Sequence, residues 1–255
     1  MSMGISGIGS GSYYTQLTTG SRINSAADDP SGSAIKEKME GQDRGYKAGS
    51  RNAEDGISVL NVADGALSGI ADQLQQMREL AVQASNSATL SDDDRSAIQD
   101  QIDQIKQGIS EIAGNTEFNT KKILDGSNTD MQIVSGANGQ GRSINTGDAT
   151  LQALGIADFD VTNGNFSIED IDNALNQVNK TRSNIGSQTN ALEYALNYNS
   201  QSSYNLNSSI STLADTDMAK TVSELKKNEL FETIAFIMQK KQQENQAHKM
   251  TNFFM

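Results

Sequence analysis

The sequence predicts a mainly α-helical protein: an elongated antiparallel helical rod with coiled-coil-like seams and a small β-hairpin region. Three observations predict this fold class. The 255 residues include one proline, which leaves long helices unbroken. Apolar residues make up 35% of the chain, too few for a deep globular core but enough for narrow seams. Apolar side chains also recur at heptad spacing in separate segments.

The composition excludes several classes of function. A net charge of −12 disfavours nucleic acid and anionic membranes as partners. The absence of cysteine excludes disulfides and thiolate sites, and a single histidine argues against histidine metal clusters. No phosphate-binding glycine motif, calcium loop or long apolar span is present. We therefore expect no enzyme, cofactor, metal site or membrane span.

The N-terminal region is expected to begin with a flexible arm over 1–16, because glycine and serine alternate there with isolated isoleucines. This arm has no positive charge or apolar run, so it is not expected to be a cleaved secretory signal. Residues 17–25 are rich in turn formers, and Pro30 anchors a turn into a helix through Ala34–Glu40. The first part of the rod is assigned to 17–125.

Two apolar seams follow within this part. The first predicts a helix over 44–86, ended by Ser87–Thr89. Ser91, followed by three aspartates, is typical of the start of a second helix, which should pack antiparallel on the first. The first seam consists of Leu60, Ala63, Leu67, Ile70, Leu74, Met77, Ala81 and Ala84, and the second of Ile98, Ile102, Ile105, Ile109 and Ile112.

Residues 126–166 change character, since glycines separate short β-like runs such as Met131–Val134. Asn163-Gly164, flanked by the runs 159–161 and 165–167, predicts a hairpin turn. We expect a small β-hairpin region without a core of its own.

The second part of the rod is assigned to 167–217. Ser167 with Asp170 is typical of a helix cap, and a heptad grid follows it. The apolar grid positions are Ile171, Leu175, Val178, Ile185, Leu192, Leu196, Leu206, Ile210 and Leu213, and its polar positions are Arg182, Thr189, Asn199 and Ser203.

The last segment, 218–255, is predicted to be a separate amphipathic helix because its apolar pattern restarts out of phase. Residues 219–255 hold six lysines and four glutamates, against the acidic balance of the rest. Such a difference in charge favours a partner of its own.

Five motifs resemble those of bacterial flagellins, in the order in which that family has them. The chain departs from the family at its Gly/Ser-rich start and at Lys249–Met255, and the variable outer domain is reduced to 126–166. The motifs are Leu17–Gly32 (LTTGSRINSAADDPSG), Asn52–Leu60 (NAEDGISVL), Leu74–Asn86 (LQQMRELAVQASN), Thr116–Leu124 (TEFNTKKIL) and Ala214–Lys220 (ADTDMAK).

This resemblance implies a structural subunit that polymerises into the extracellular flagellar filament for motility. It implies export through the flagellar type III channel without a cleaved signal peptide, and contacts with hook-associated and cap proteins. A hook–filament junction protein or a minor filament component is the alternative. An export chaperone is expected to bind the C-terminal segment through Val222, Leu225, Leu230, Ile234 and Ile237.

The resemblance also implies recognition by Toll-like receptor 5, a receptor of vertebrate innate immunity. The family's receptor-active members usually carry Arg at the position of Gln76 and Glu at or near that of Gln101. We therefore expect binding that is present but weaker than that of an Arg-bearing flagellin. The residues expected to contribute are Leu74, Gln76, Arg78, Glu79, Leu80, Gln83 and Gln101.

Overall fold

The computed structural model describes residues 8–86, 90–128, 130–163 and 165–254, and its elements confirm the mainly helical fold class. Two compact units are present: a central unit, Arg44–Ser203, and a terminal unit formed by the residues up to Asp43 and from Tyr204 onwards. The elements are α1 (Ile8–Thr19), α2 (Pro30–Ala84), α3 (Asp92–Asn115), β1 (Glu117–Phe118), β2 (Lys121–Lys122), β3 (Asp130–Val134), β4 (Gly141–Asn145), α4 (Ile168–Ala214) and α5 (Met218–Phe254).

Helix α2 supplies the apolar seam on which the central unit is built. It begins at Pro30, because the fixed φ of proline suits the first helical position and its missing N–H is not needed there. The segments predicted separately at 34–40 and 44–86 form this one helix. All eight of its predicted seam residues are buried, with at most 1% of any side chain exposed, so the heptad prediction is confirmed. The helix ends at Ala84, and the break predicted at Ser87–Thr89 lies outside the described residues.

Ser91 caps α3, as its sequence predicts. The Asp94 N–H donates to the Ser91 hydroxyl at 3.2 Å, and the Ser91 N–H donates to the Asp94 carboxylate at 2.9 Å. Hydrogen bonds from the Ser91 hydroxyl and then from its backbone hold the pKa of Asp94 below its usual value. Helix α3 runs antiparallel to α2, because residues 76–83 lie opposite 101–105 while 65–69 lie opposite 108–116.

Helix α4 also packs antiparallel on α2 in the central unit, and two ion pairs join them. Arg182 Nε lies 2.9 Å from Asp64 Oδ1, and Arg78 Nε lies 2.6 Å from Asp172 Oδ1. Both pairs are partly exposed, so they contribute more to register than to stability. The ion pair between Arg182 and Asp64 also explains why an arginine is tolerated at a seam position of α4. The apolar seam residues Ile171, Val178, Ile185 and Leu192 are buried.

Strands β3 and β4 form an antiparallel hairpin in which Asp130 pairs with Asn145 and Val134 with Gly141. The β prediction for 131–134 is thereby confirmed, whereas the hairpin predicted around Asn163-Gly164 is wrong.

Neither 159–161 nor 165–167 forms a strand, and Gly164 lies outside the described residues. Phe159 and Val161 are buried in the helical core instead. The Val161 N–H donates to the side chain of Gln99 on α3 at 2.9 Å, so the backbone bonds to a helix and not to a second strand.

Glycines on α2 form the seat of this hairpin. A Cβ added at Gly45 would lie 2.8 Å from the carbonyl oxygen of Ala137, and one at Gly49 would lie 2.8 Å from the carbonyl carbon of Ser135. Real Cβ atoms do not approach other atoms so closely. The hairpin backbone therefore rests directly on the helix where α2 has no side chain.

Side-chain amides fasten the hairpin to both helices. Asn52 on α2 donates to the carbonyl of Val134 at 2.8 Å, and Asn199 on α4 donates to that of Ser135 at 2.7 Å. Asn199 is buried, so the polar position that it occupies in the α4 seam is satisfied by this hydrogen bond. The β region thus shares the helical core and has none of its own, as predicted.

The terminal unit contains α1, which the sequence did not predict. Residues 1–7 lie outside the described residues, but Ile8–Thr19 is helical where the Gly/Ser composition predicted a flexible arm. Helix α1 packs on α5, and the Tyr14 hydroxyl donates to the Glu229 carboxylate at 2.8 Å. This hydrogen bond raises the pKa of Tyr14. A tertiary contact across 215 residues of sequence outweighs the weak local propensity.

The link between α1 and α2 lies against the link between α4 and α5. Gly20 ends α1 with a φ of 70°, which glycine adopts without a steric penalty. Ser21 pairs with Asp215 in an isolated antiparallel bridge, and the Arg22 N–H donates to the Ala214 carbonyl at 2.6 Å. These bonds hold the two chain reversals together.

The glycine seat predicts opposite effects for two Gly→Ala substitutions in the same helix. Gly49→Ala should destabilise the protein by ~1–3 kcal/mol, because its methyl group would displace the hairpin. Gly65→Ala is the matched control and should stabilise it by up to ~1 kcal/mol, since no atom lies within 4 Å of its added Cβ. Thermal unfolding followed by circular dichroism measures the change in stability of both variants. Changes of the same sign would contradict direct packing of the hairpin backbone on Gly49.

Candidate functional site and interaction surfaces

A groove between α2 and α3 brings together five of the seven residues predicted for receptor recognition. Gln76, Glu79, Leu80 and Gln83 line its α2 wall, and Gln101 lies on the α3 wall. The groove has a volume of about 490 Å³. Antiparallel packing explains the juxtaposition, because it places the start of α3 beside the last turns of α2.

The other two predicted recognition residues do not lie in this groove. Leu74 is a fully buried core residue, so its side chain cannot contact a partner and its prediction as a recognition residue is wrong. The reason is that the motif containing it is also the α2 seam. Arg78 is exposed, but its guanidinium binds Asp172 on α4, and this hydrogen bond raises the pKa of Arg78.

The groove offers amide hydrogen bonds and little charge. Two glutamines that the sequence analysis did not select, Gln73 and Gln104, also line it, and Ile105 joins Leu80 as an apolar part of the lining. Gln73 Oε1 is buried and has no hydrogen-bond partner among the described residues. Glutamines three and seven positions apart, as at 73, 76 and 83, are the sequence signal that marks this polar face. The arrangement suits a polar, hydrogen-bonding partner.

The second candidate surface is the exposed apolar side of α5. Of the predicted residues, Leu230, Ile234 and Ile237 are 59%, 45% and 58% exposed. Val222 is less exposed, at 37%, and Leu225 is buried, with 8% of its surface exposed. Leu225 therefore contributes to the fold of the terminal unit and is not part of the free surface.

The chaperone-binding stripe predicted from the sequence omitted three exposed residues of this helix, because only aliphatic side chains were assigned to it. Phe231, Phe236 and Met238 are each more than half exposed. At 100° per residue, Leu230, Phe231, Ile234, Ile237 and Met238 fall within an arc of about 120°, and Phe236 lies outside it. We call these five residues the α5 apolar face.

Neither surface carries the features of a catalytic centre. No cluster of three potential metal-ligating side chains occurs in the parts of the chain that the structure describes. Among those same residues, no helix is long and apolar enough to cross a membrane. The carboxylates with lowered pKa, such as Asp125 and Asp160, receive hydrogen bonds from Ser127 and Thr162 in local turns. Antiparallel helices with these two surfaces define a class of protein that acts by interaction.

Comparison with known proteins identifies the family within that class. Residues 9–129 match the bacterial flagellin N-terminal helical region, and residues 168–252 match the bacterial flagellin C-terminal helical region. The matched ranges contain all of α2, α3 and α4 and nearly all of α5.

Individual flagellins are similar to this chain over most of their own length. The chain is 39% identical to a flagellin of Halalkalibacterium halodurans over 82% of this chain and 79% of that protein. It is 38% identical to a flagellin of Bacillus subtilis over 84% and 83% of the two chains. A flagellar filament 31.3 kDa core protein of Treponema maltophilum is 34% identical over 89% and 86%.

A solved structure agrees with these relatives. The crystal structure of Bacillus cereus flagellin matches with a TM-score of 0.52 and 32% identity, over 58% of this chain and 88% of that one. The chain belongs to the bacterial flagellin family. It is a structural, non-enzymatic protein with the function of a flagellar filament subunit, and the extracellular filament is its place of action.

Proposed function

We propose that this chain polymerises through α5, and that the α5 apolar face is buried by neighbouring subunits in the filament. The exposure of that face carries the proposal. Its five residues are all at least 45% exposed, in a chain whose α2 seam is almost completely buried. Contiguous exposed apolar residues are typical of interaction sites. Association removes them from water, and the subunit gains stability by assembling.

Assembly outside the cell requires passage through the flagellar export channel, for which we propose a route without a cleaved signal peptide. Before assembly the α5 apolar face would be exposed to solvent, and an export chaperone that lays this helix in a groove would protect it. Leu230, Ile234 and Ile237 would anchor the helix at spacings of four and three residues. Hook-associated and cap proteins would contact the subunits at the two filament ends. Flagellin relatives over more than four fifths of the chain favour a filament subunit over a hook–filament junction protein.

Polymerisation of the purified chain tests the proposal. The wild type should form filaments at raised concentration, visible by electron microscopy. Ile234→Ser should raise the critical concentration for polymerisation roughly tenfold, because it removes an apolar contact of ~1–2 kcal/mol.

Val62→Ser is the matched control for this experiment. Val62 on α2 is 40% exposed, against 45% for Ile234, and both side chains are β-branched. The control should polymerise like the wild type. Equal behaviour of the two variants would contradict a specific role of α5.

Calorimetry of the same two variants with the export chaperone tests the chaperone proposal. That proposal fails if Ile234→Ser binds the chaperone as tightly as the wild type does.

We further propose that the α2–α3 groove is recognised by Toll-like receptor 5. Gln76, Glu79, Leu80, Gln83 and Gln101 lie together there, which supports a common contact surface. Glutamine lacks the charge and the planar five-donor fork of arginine, so the chain should bind more weakly than a flagellin with Arg at this position.

Gln76→Arg should therefore increase receptor affinity by roughly ten- to a hundredfold, the effect of gaining ~1–3 kcal/mol of hydrogen bonding. Gln75→Arg introduces the same side chain one position away, outside the groove lining, and serves as the control. Surface plasmon resonance with the receptor ectodomain measures both. Equal gains by both variants would contradict the groove as the contact, and no binding by any of the three proteins would exclude recognition.

A further inference from the structure

A third surface feature, this one in the central unit, lies under the β3–β4 hairpin. The turn of the hairpin stands over α2 and α4 and leaves a cleft of about 450 Å³. Tyr46 of α2, Tyr198 of α4 and Arg142 of β4 contribute the three largest side chains of its lining. We call it the Arg142 cleft.

The charge of this cleft is opposite to that of its surroundings. Residues 44–203 hold 11 Lys and Arg against 21 Asp and Glu. The lining of the Arg142 cleft includes no carboxylate, whereas three other surface clefts include Glu54, Glu79 or Glu111, the first of them beside Lys47 and Arg51. Arg142 is exposed and forms no ion pair with any residue that the structure describes. The cleft is therefore a local positive site on an acidic unit.

The aromatic side chains give the cleft the composition of a protein interface. The rings of Tyr46 and Tyr198 meet edge to face, with centroids 6.0 Å apart and planes at 75°. Tyr198 is nevertheless 64% exposed. Tyr and Arg are enriched at protein interfaces and at their energetic hot spots, while Lys, Glu and Asp are depleted there.

The cleft is also held in shape before any partner arrives. Its hairpin wall rests on Gly45 and Gly49, and Asn199 fixes the carbonyl of Ser135 at 2.7 Å. A preformed site loses little conformational entropy when it binds. Rigid walls, two phenols and one unpaired guanidinium suit the insertion of a carboxylate side chain.

We propose that the Arg142 cleft receives an acidic side chain of a second copy of this chain and is a contact between neighbouring subunits. Charge complementarity identifies the occupant. Copies with a net charge of −12 repel one another over most of their surface, so a cationic, acid-free site is where a like-charged copy can approach. The inference rests on the proposed function, because polymerisation supplies the second copy. A cleft on one copy that binds a different surface of the next is a heterologous contact, which generates an open helical polymer when the rotation between copies does not close a ring.

Charge reversal tests this contact. Arg142→Glu should raise the critical concentration for polymerisation at least about tenfold at low salt, and less in concentrated NaCl, because salt screens the new repulsion. Lys180→Glu makes the same change of charge at an exposed position of α4 outside the cleft, and should stay within about twofold of the wild type. Thermal unfolding should be unchanged in both variants, since both side chains are exposed.

A second pair of variants tests the aromatic wall. Tyr198→Ala should raise the critical concentration several-fold, while Tyr194→Ala, which removes a 76% exposed tyrosine one turn away and outside the lining, should not.

The outcomes separate the contact from the proposed function. Wild-type filaments together with unchanged assembly of Arg142→Glu and Tyr198→Ala would overturn the contact and leave the filament function in place. Equal losses in Arg142→Glu and Lys180→Glu would assign the effect to net charge and also overturn it. A wild type that forms no filaments would overturn the proposed function and the contact with it. D-Glucuronate serves as a probe for a small acid. If it shifted the NMR resonances of Arg142 while both variants assembled like the wild type, the cleft would be assigned to a small acid and the subunit contact would be overturned.

Discussion

The rest of the structure depends on the burial of one face of α2. From Leu60 to Ala84 its seam residues are covered by α3 and α4, and Leu74 and Met77 lose all contact with solvent. In a chain with 35% apolar residues, this narrow face takes the place of a globular core. Each helix that packs along this face must expose its own polar side, and the α2–α3 groove is lined by such polar side chains. Dispersion and the hydrophobic effect along the seam hold the geometry that the surface groups use.

Two polar residues within the α4 seam fix how the elements pack on one another. Arg182 would interrupt the α4 seam if Asp64 did not pair with it, and Asn199 would be a buried, unsatisfied amide without the carbonyl of Ser135. The first fixes how α4 lies along α2, and the second fixes where the hairpin lies on both helices. A purely apolar seam would pack as tightly at several registers, so these groups select one of them.

The terminal unit has the opposite balance between burial and exposure. Leu225 and Ile23 are buried there, but the five residues of the α5 apolar face are not. A folded central unit combined with an unsatisfied α5 is the arrangement that a subunit needs if it is to persist alone and gain stability on assembly. The same contrast explains why a partner before assembly would bind α5.

The helices could be predicted from the sequence because their signals are local and periodic. The heptads of α2 and the Ser91 cap depend on residues less than two turns apart. The hairpin was misplaced because Asn163-Gly164 is a local turn signal, while β3 and β4 are positioned by glycines some ninety residues away on α2. Helix α1 was missed for a similar reason, since α5 supports it. At Leu74 the motif resemblance was correct but could not separate a core residue from a contact residue.

Native-state hydrogen exchange of the monomer, read by mass spectrometry, tests the central claim most directly. If the α2 seam holds the fold, amides over 60–81 of α2 and 171–192 of α4 should exchange slowest and with a common opening free energy. Amides over 230–247 of α5 should exchange well before them. Early exchange within 60–81, or α5 amides as protected as those of the seam, would contradict the account.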